Sequence, residues 1–212
     1  MASVMTPGVA GRISSGFIAR NPVGRRWDRR WQSVVACLLL SGLAWSAPIA
    51  LTGTPPNREY QVKAIFLFNF TQFVEWPADA FAHANTPLVI GVLGEDPFGA
   101  YLDETVRGET ANGRPLTVER YRRIQEIGDC QVLFISRSEA DRLEQIFGSL
   151  KGRRILTVGD VEGFTRRGGM IHLATITGKT QLRINLEAAK AAQLTISSKL
   201  LRPAHIVASG ED

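Results

Sequence analysis

Cysteine, histidine and long apolar runs are all scarce in this sequence, and each scarcity removes a class of protein. The cysteines are Cys37 and Cys130. Cys37 lies in a segment expected to be cut away, which leaves Cys130 alone and excludes an internal disulfide framework. Cys130 opens the apolar run Cys130-Gln131-Val132-Leu133-Phe134-Ile135, so it is expected to be buried and inert. The histidines, His83, His172 and His205, stand far apart, and none has metal-ligand spacing to cysteine, aspartate or another histidine. There is no G-x-S-x-G elbow, and Ser138, which comes after a strand-like run, reads as a helix cap. Without a catalytic constellation the chain is not expected to be an enzyme, and no cofactor or metal is implied.

Phosphate-binding glycine spacing is missing as well. Gly91, Gly94 and Gly99 lie at a strand-to-helix turn, but they do not follow G-x-G-x-x-G, and Glu95 and Asp96 would repel a pyrophosphate. The turn reads instead as a tight bend, with Asp96 capping a helix that starts at Pro97.

The apolar run from Val34 to Ala44 is roughly half of the ~20 residues that span a bilayer. A basic stretch precedes it, with Arg12, Arg20, Arg25, Arg26, Arg29 and Arg30 against Asp28, and small residues come after it at Ala44 and Ser46. That order is a cleavable signal peptide over 1–46, with the cut before Ala47. The paired arginines at 25–26 and 29–30 leave twin-arginine export open. Val34-Val35-Ala36-Cys37 resembles a lipoprotein box, although its apolar run lies after the cysteine rather than before it.

An excess of one charge also disappears. The whole chain has 25 basic and 20 acidic side chains and an isoelectric point near 9.6. Removing six basic and one acidic residue with the signal leaves 19 of each, so a nucleic-acid partner is not expected. About 166 residues remain, enough for one domain with a real core.

What is present is an alternation of strands and helices. After a linker over 47–57, with Pro55-Pro56, the stretch from Arg58 to Trp76 repeats Val62, Ile65, Phe66, Phe70 and Phe73 at helical spacing. Leu67, Phe68 and Val74 lie off that stripe, so the helix is apolar over most of its circumference and needs a second surface. Trp76-Pro77 is expected to end it. Strands are predicted over 88–93, 115–121, 132–135 and 155–158, with a helix from Ser138 to Leu150. Near the C-terminus, 170–176 and 180–184 are joined through Thr177-Gly178-Lys179 as a hairpin. Asn185 then caps an alanine-rich helix, and Pro203 disturbs the chain beyond Ser198-Lys199-Leu200-Leu201. The expected fold is a single α/β domain, a mostly parallel sheet flanked by helices with an antiparallel edge hairpin near the C-terminus.

Several segments carry a family resemblance: Tyr60-Gln61-Val62-Lys63-Ala64-Ile65-Phe66-Leu67-Phe68-Asn69-Phe70, Phe73-Val74-Glu75-Trp76-Pro77, Ile90-Gly91-Val92-Leu93-Gly94, Gly168-Gly169-Met170-Ile171, Ile184-Asn185-Leu186-Glu187-Ala188-Ala189-Lys190 and Ser197-Ser198-Lys199-Leu200-Leu201. In this order they resemble the YfiR-like family of periplasmic proteins, which sets the domain at 58–208. The resemblance implies a regulator that binds the periplasmic portion of an inner-membrane diguanylate cyclase and holds it off, lowering cyclic di-GMP and biofilm formation. Other members of that family stand beside sensor kinases or outer-membrane receptors. The resemblance also implies a homodimer. Described relatives carry disulfides linked to redox control, a feature that Cys130 alone cannot supply within one chain.

The candidate interface is the helix face at Phe66, Phe68, Phe70 and Phe73, with a wholly buried role as the alternative. Lys199 and Arg202 are candidate anion-binding residues, and solvated charge is the alternative there. The rival function is a small-molecule binding module that reports its ligand to a membrane sensor.

Overall fold

The computed structural model describes residues 57–83 and 85–208. The expected signal peptide, its cleavage point and all of the linker except Asn57 lie outside the described residues. Asn57 caps the first helix, α1 (Arg58–Phe73), its side chain accepting a hydrogen bond from the Glu59 amide at 3.3 Å. The helix stops before the expected Trp76. Val74 and Glu75 turn extended as β1 (Val74–Glu75), which pairs antiparallel with β9 (Thr195–Ile196).

Chain order then runs through β2 (Leu88–Leu93), α2 (Ala100–Val106), β3 (Thr110–Ala111), β4 (Arg114–Tyr121), β5 (Val132–Ile135), α3 (Leu143–Leu150), β6 (Leu156–Gly159), β7 (Ile171–Ile176), β8 (Lys179–Asn185) and α4 (Leu186–Ala191). After β9 come α5 (Ser198–Leu201) and β10 (His205–Val207). Among the described residues the main sheet has eight strands in the order β10-β8-β7-β6-β5-β2-β4-β3. β4, β2, β5, β6 and β7 are parallel to their neighbours in that run, whereas β7 with β8 and β3 with β4 are antiparallel. The fold is thus the expected mixed α/β domain. The hairpin turn at Thr177-Gly178 has positive φ at both residues, 47° and 75°, which suits the right-handed strand twist. One further strand, β10, adds in parallel outside β8. A second hairpin, β3 to β4 through Asn112-Gly113 with φ of 51° and 78°, adds to the expected elements.

Period-two alternation sorts the strand residues to the two faces of the sheet. Ile90, Val92, Val132 and Phe134 join Ala64, Leu67 and Phe70 of α1 and Leu102 of α2 in one core. Val89, Leu93, Leu133 and Ile135 join Leu143, Ile146 and Leu150 of α3 in the other. Cys130 lies in this second core with 2% of its surface exposed, and it is a free thiol. Gly91 is needed beside it, because a Cβ there would sit 2.6 Å from the Tyr121 ring.

Two caps differ from expectation. The helix after β2 begins at Ala100, not Pro97, because Asp96 Oδ1 accepts from the Phe98 amide at 2.7 Å while its Oδ2 pairs with Arg120. After β5 a 3-10 segment over Arg137–Arg142 precedes α3, and Ser138 Oγ instead accepts the Glu95 amide at 2.9 Å. Asn185 does cap α4, accepting from the Ala188 amide at 3.0 Å.

Candidate functional site

Arg137 comes after β5 and Asp160 after β6, so both lie beyond the C-terminal ends of parallel strands, where open α/β sheets place their clefts. A cleft of about 590 Å³ opens there, lined by these two residues together with Glu162, His172, Thr175, Ile176 and Arg183 among others. His172 on β7 stands opposite Arg183 on β8. Three of the lining residues, Arg137, Asp160 and Thr175, are contacted by the first two turns of α1.

These contacts are polar. Lys63 of α1 and Asp160 both have fully buried side chains, and Lys63 Nζ donates to Asp160 Oδ2 at 2.6 Å. Lys63 also donates to Glu59, one turn earlier on the same helix face. Asp160 Oδ2 further accepts the Tyr60 hydroxyl at 3.0 Å and faces Arg137 Nε at 3.2 Å. Asp160 Oδ1 is buried with no hydrogen-bond partner among the described residues. Thr175 of β7 donates to Glu59 at 2.8 Å.

Burial and the neighbouring Asp160 carboxylate push the Tyr60 hydroxyl up to about 12, since both disfavour a phenolate. Glu59 moves the other way. Desolvation acts to raise it, but the hydrogen bonds from Lys63 and Thr175 and the charges of Lys63 and Arg137 prevail and hold its carboxyl below the usual range. The network therefore sets two carboxylates, Glu59 and Asp160, against the buried Lys63 ammonium and the exposed Arg137 guanidinium. Sequence reasoning missed it. A lysine inside an apolar helix and an aspartate closing a strand were visible, but no spacing in the chain connects positions 63 and 160.

The outer side of α1 is different. Val62 and Ile65 are 39% and 45% exposed, Phe66, Phe68 and Phe73 are half-buried against the core, and Phe70 is fully buried. Of the four phenylalanines marked from the sequence, Phe70 therefore faces inward, and the solvent-facing apolar edge centres on Val62 and Ile65. Lys199 of α5 and Arg202 at its C-terminal end are exposed. Neither lines the cleft.

Among the described residues no group of three or more histidine, cysteine or acidic side chains could hold a metal ion. No described helix is long and apolar enough to cross a membrane.

A family model described as YfiR/HmsC-like matches residues 60–205. Comparison with curated proteins returns no match. Among solved structures, the ABC domain in complex with L-Trp from Streptococcus pneumonia is similar at 12% identity, with a TM-score of 0.43. The alignment covers 57% of this chain and 55% of that one.

Proposed function

Because the chain belongs to the YfiR/HmsC-like family, whose members are periplasmic regulators of diguanylate cyclase signalling and not enzymes, we propose that it binds and represses the periplasmic portion of an inner-membrane signalling protein, a diguanylate cyclase, and so lowers cyclic di-GMP. The observation that carries the reading is the extent of the match, which takes in the domain from α1 to the first residue of β10. The exposed apolar edge of α1 supports it, since a regulator without catalytic groups acts by binding one state of its partner better than another. Moving a two-state partner from mostly on to mostly off takes about 5.5 kcal/mol of preference, within reach of a protein interface. The repressor is a homodimer in this reading, with the Val62 and Ile65 edge and its flanking phenylalanines serving self-association or the partner.

The test is capture of inner-membrane proteins by the tagged, exported protein, with Ile65→Asp as the control. Recovery of a diguanylate cyclase by the wild type, lost in a folded Ile65→Asp variant, supports both the function and the surface. A folded wild-type bait that retains no signalling protein overturns the repressor reading.

A second reading, a small-molecule module that reports to a membrane sensor, is favoured by one observation: the buried Asp160 Oδ1, without a hydrogen-bond partner among the described residues, in the lining of an open cleft. A thermal-shift screen tests it, because a ligand at 100 times its dissociation constant adds about 2.7 kcal/mol of stability. Stabilisation that disappears in Asp160→Asn assigns the ligand to the cleft.

A further inference from the structure

The two halves of α1 are held to the sheet by different forces. From Ala64 onward the buried residues of α1 are Ala64, Leu67, Phe70 and Thr71, apolar apart from Thr71, whose hydroxyl is satisfied within the helix by donating to the Phe68 carbonyl at 2.7 Å. Before Ala64 the inward residues are Glu59, Tyr60 and Lys63, and their partners are Asp160, Thr175 and Arg137. One apolar contact reinforces this half, the Tyr60 ring set edge-on to Phe98 at 5.6 Å. Apolar packing is lost in proportion to separation, whereas hydrogen bonds and ion pairs can be exchanged for equivalent ones with another donor or with water. Buried ionic groups are costly for stability alone, and their best-attested use is to set registry or a switch.

We propose that residues Asn57 to Lys63 form a strap beside the cleft, latched to its lining by the Lys63–Asp160 pair and able to open while the rest of α1 and the sheet stay folded. The latch is unevenly loaded: Asp160 Oδ2 receives Lys63, Tyr60 and Arg137, and Oδ1 receives no donor among the described residues. An occupant of the cleft that brings a donor to Asp160 competes directly with Lys63. Val62, the first residue of the exposed apolar edge, lies within the strap, so opening displaces part of that edge. The cleft and the outer surface of α1 are in this way coupled through one movable element. Local opening of this kind is a sub-global unfolding event with its own free energy, separate from that of the core. The strap does not depend on the membrane partner being a cyclase.

Amide hydrogen exchange read by mass spectrometry on the purified protein and its Asp160→Asn variant tests the latch. The expected result is exchange at least tenfold faster in peptides covering Tyr60–Ala64, with peptides from Leu67–Phe70 and from β5 and β6 within twofold of wild type. A uniform rise across all peptides overturns the proposal, because the pair would then hold the whole domain. No change at Tyr60–Ala64 also overturns it, because the strap would then be held by something else. Should Asp160→Asn not fold, Glu59→Gln removes one arm of the latch at a part-exposed position. It is expected to give a smaller rise confined to the same peptides, and a uniform or absent rise has the same overturning force.

Discussion

Replacing Lys63 with methionine isolates the energetics of the buried pair. Methionine matches the lysine stem in length and apolar volume, so the volume is filled and only the ammonium is lost, together with its place 4.7 Å over the Tyr60 ring. Asp160 keeps its full burial but loses its closest donor, at 2.6 Å. Removing one partner of a buried pair typically costs about 3–5 kcal/mol, because the remaining charge is stranded. Here the Tyr60 hydroxyl and Arg137 remain on the same oxygen, although Arg137 is 57% exposed and screened. The expected cost therefore lies at the lower end, about 3 kcal/mol. For a domain of this size that is a fall of roughly 6–12 °C in melting temperature, at the usual 2–4 °C per kcal/mol. The double variant Lys63→Met/Asp160→Leu removes both charges and is expected to return to within about 1 kcal/mol of wild type. Urea unfolding followed by tryptophan fluorescence measures both, with an unchanged m-value confirming that the same surface is exposed. A neutral Lys63→Met, or a double variant as unstable as the two single changes added together, would refute this account of the pair.

Glu59 titrates below its unfolded value, so its ionised form contributes stability that is present above about pH 4.5 and lost as pH falls through the folded value; wild type and Glu59→Gln should differ at pH 7 and converge towards pH 3 in parallel denaturation curves. Gly169→Ala places a methyl 2.2 Å from the Phe164 ring and is expected to cost about 1–3 kcal/mol, whereas Gly148→Ala, in α3 with open space at its Cβ, is expected to stabilise by about 0.5–1 kcal/mol; calorimetry on the two variants gives opposite signs if the packing is as described. Burial drives the Cys130 thiol up to about 12, so a thiol reagent at pH 8 should label the folded protein orders of magnitude more slowly than the urea-unfolded chain, and rapid native labelling would contradict the buried inert role.

Local signals suffice where the local chain decides the outcome. Asn185 as a cap, the hairpin through Thr177-Gly178-Lys179, of which Lys179 already belongs to β8, and the apolar 88–93 and 132–135 runs as strands are all settled within a few residues. Asn112-Gly113 carries an equally strong turn signal, but β3 is only two residues long, too short to show alternation beside it. The end of α1 departs from the expected Trp76 because Val74 and Glu75 answer to β9, far along the chain. Ser138 and Asp96 are cap residues by type, yet the fold draws Ser138 to the Glu95 amide and Asp96 to Arg120.

The α/β class, the order of the longer strands and helices and the family are legible in the chain alone, because hydrophobic period, turn chemistry and motif order are properties of neighbouring residues. So is the fact that one helix is too apolar for a single buried face. Which of its residues meet solvent is a matter of packing, with Phe70 inside and Val62 and Ile65 outside. Lys63 reaches Asp160 only through the fold as well, since the ends of β5 and β6 and the start of α1 meet only when the sheet is assembled. A buried charge is tolerable only with its partner in place, and that partner is supplied by topology, from almost a hundred residues further along the chain.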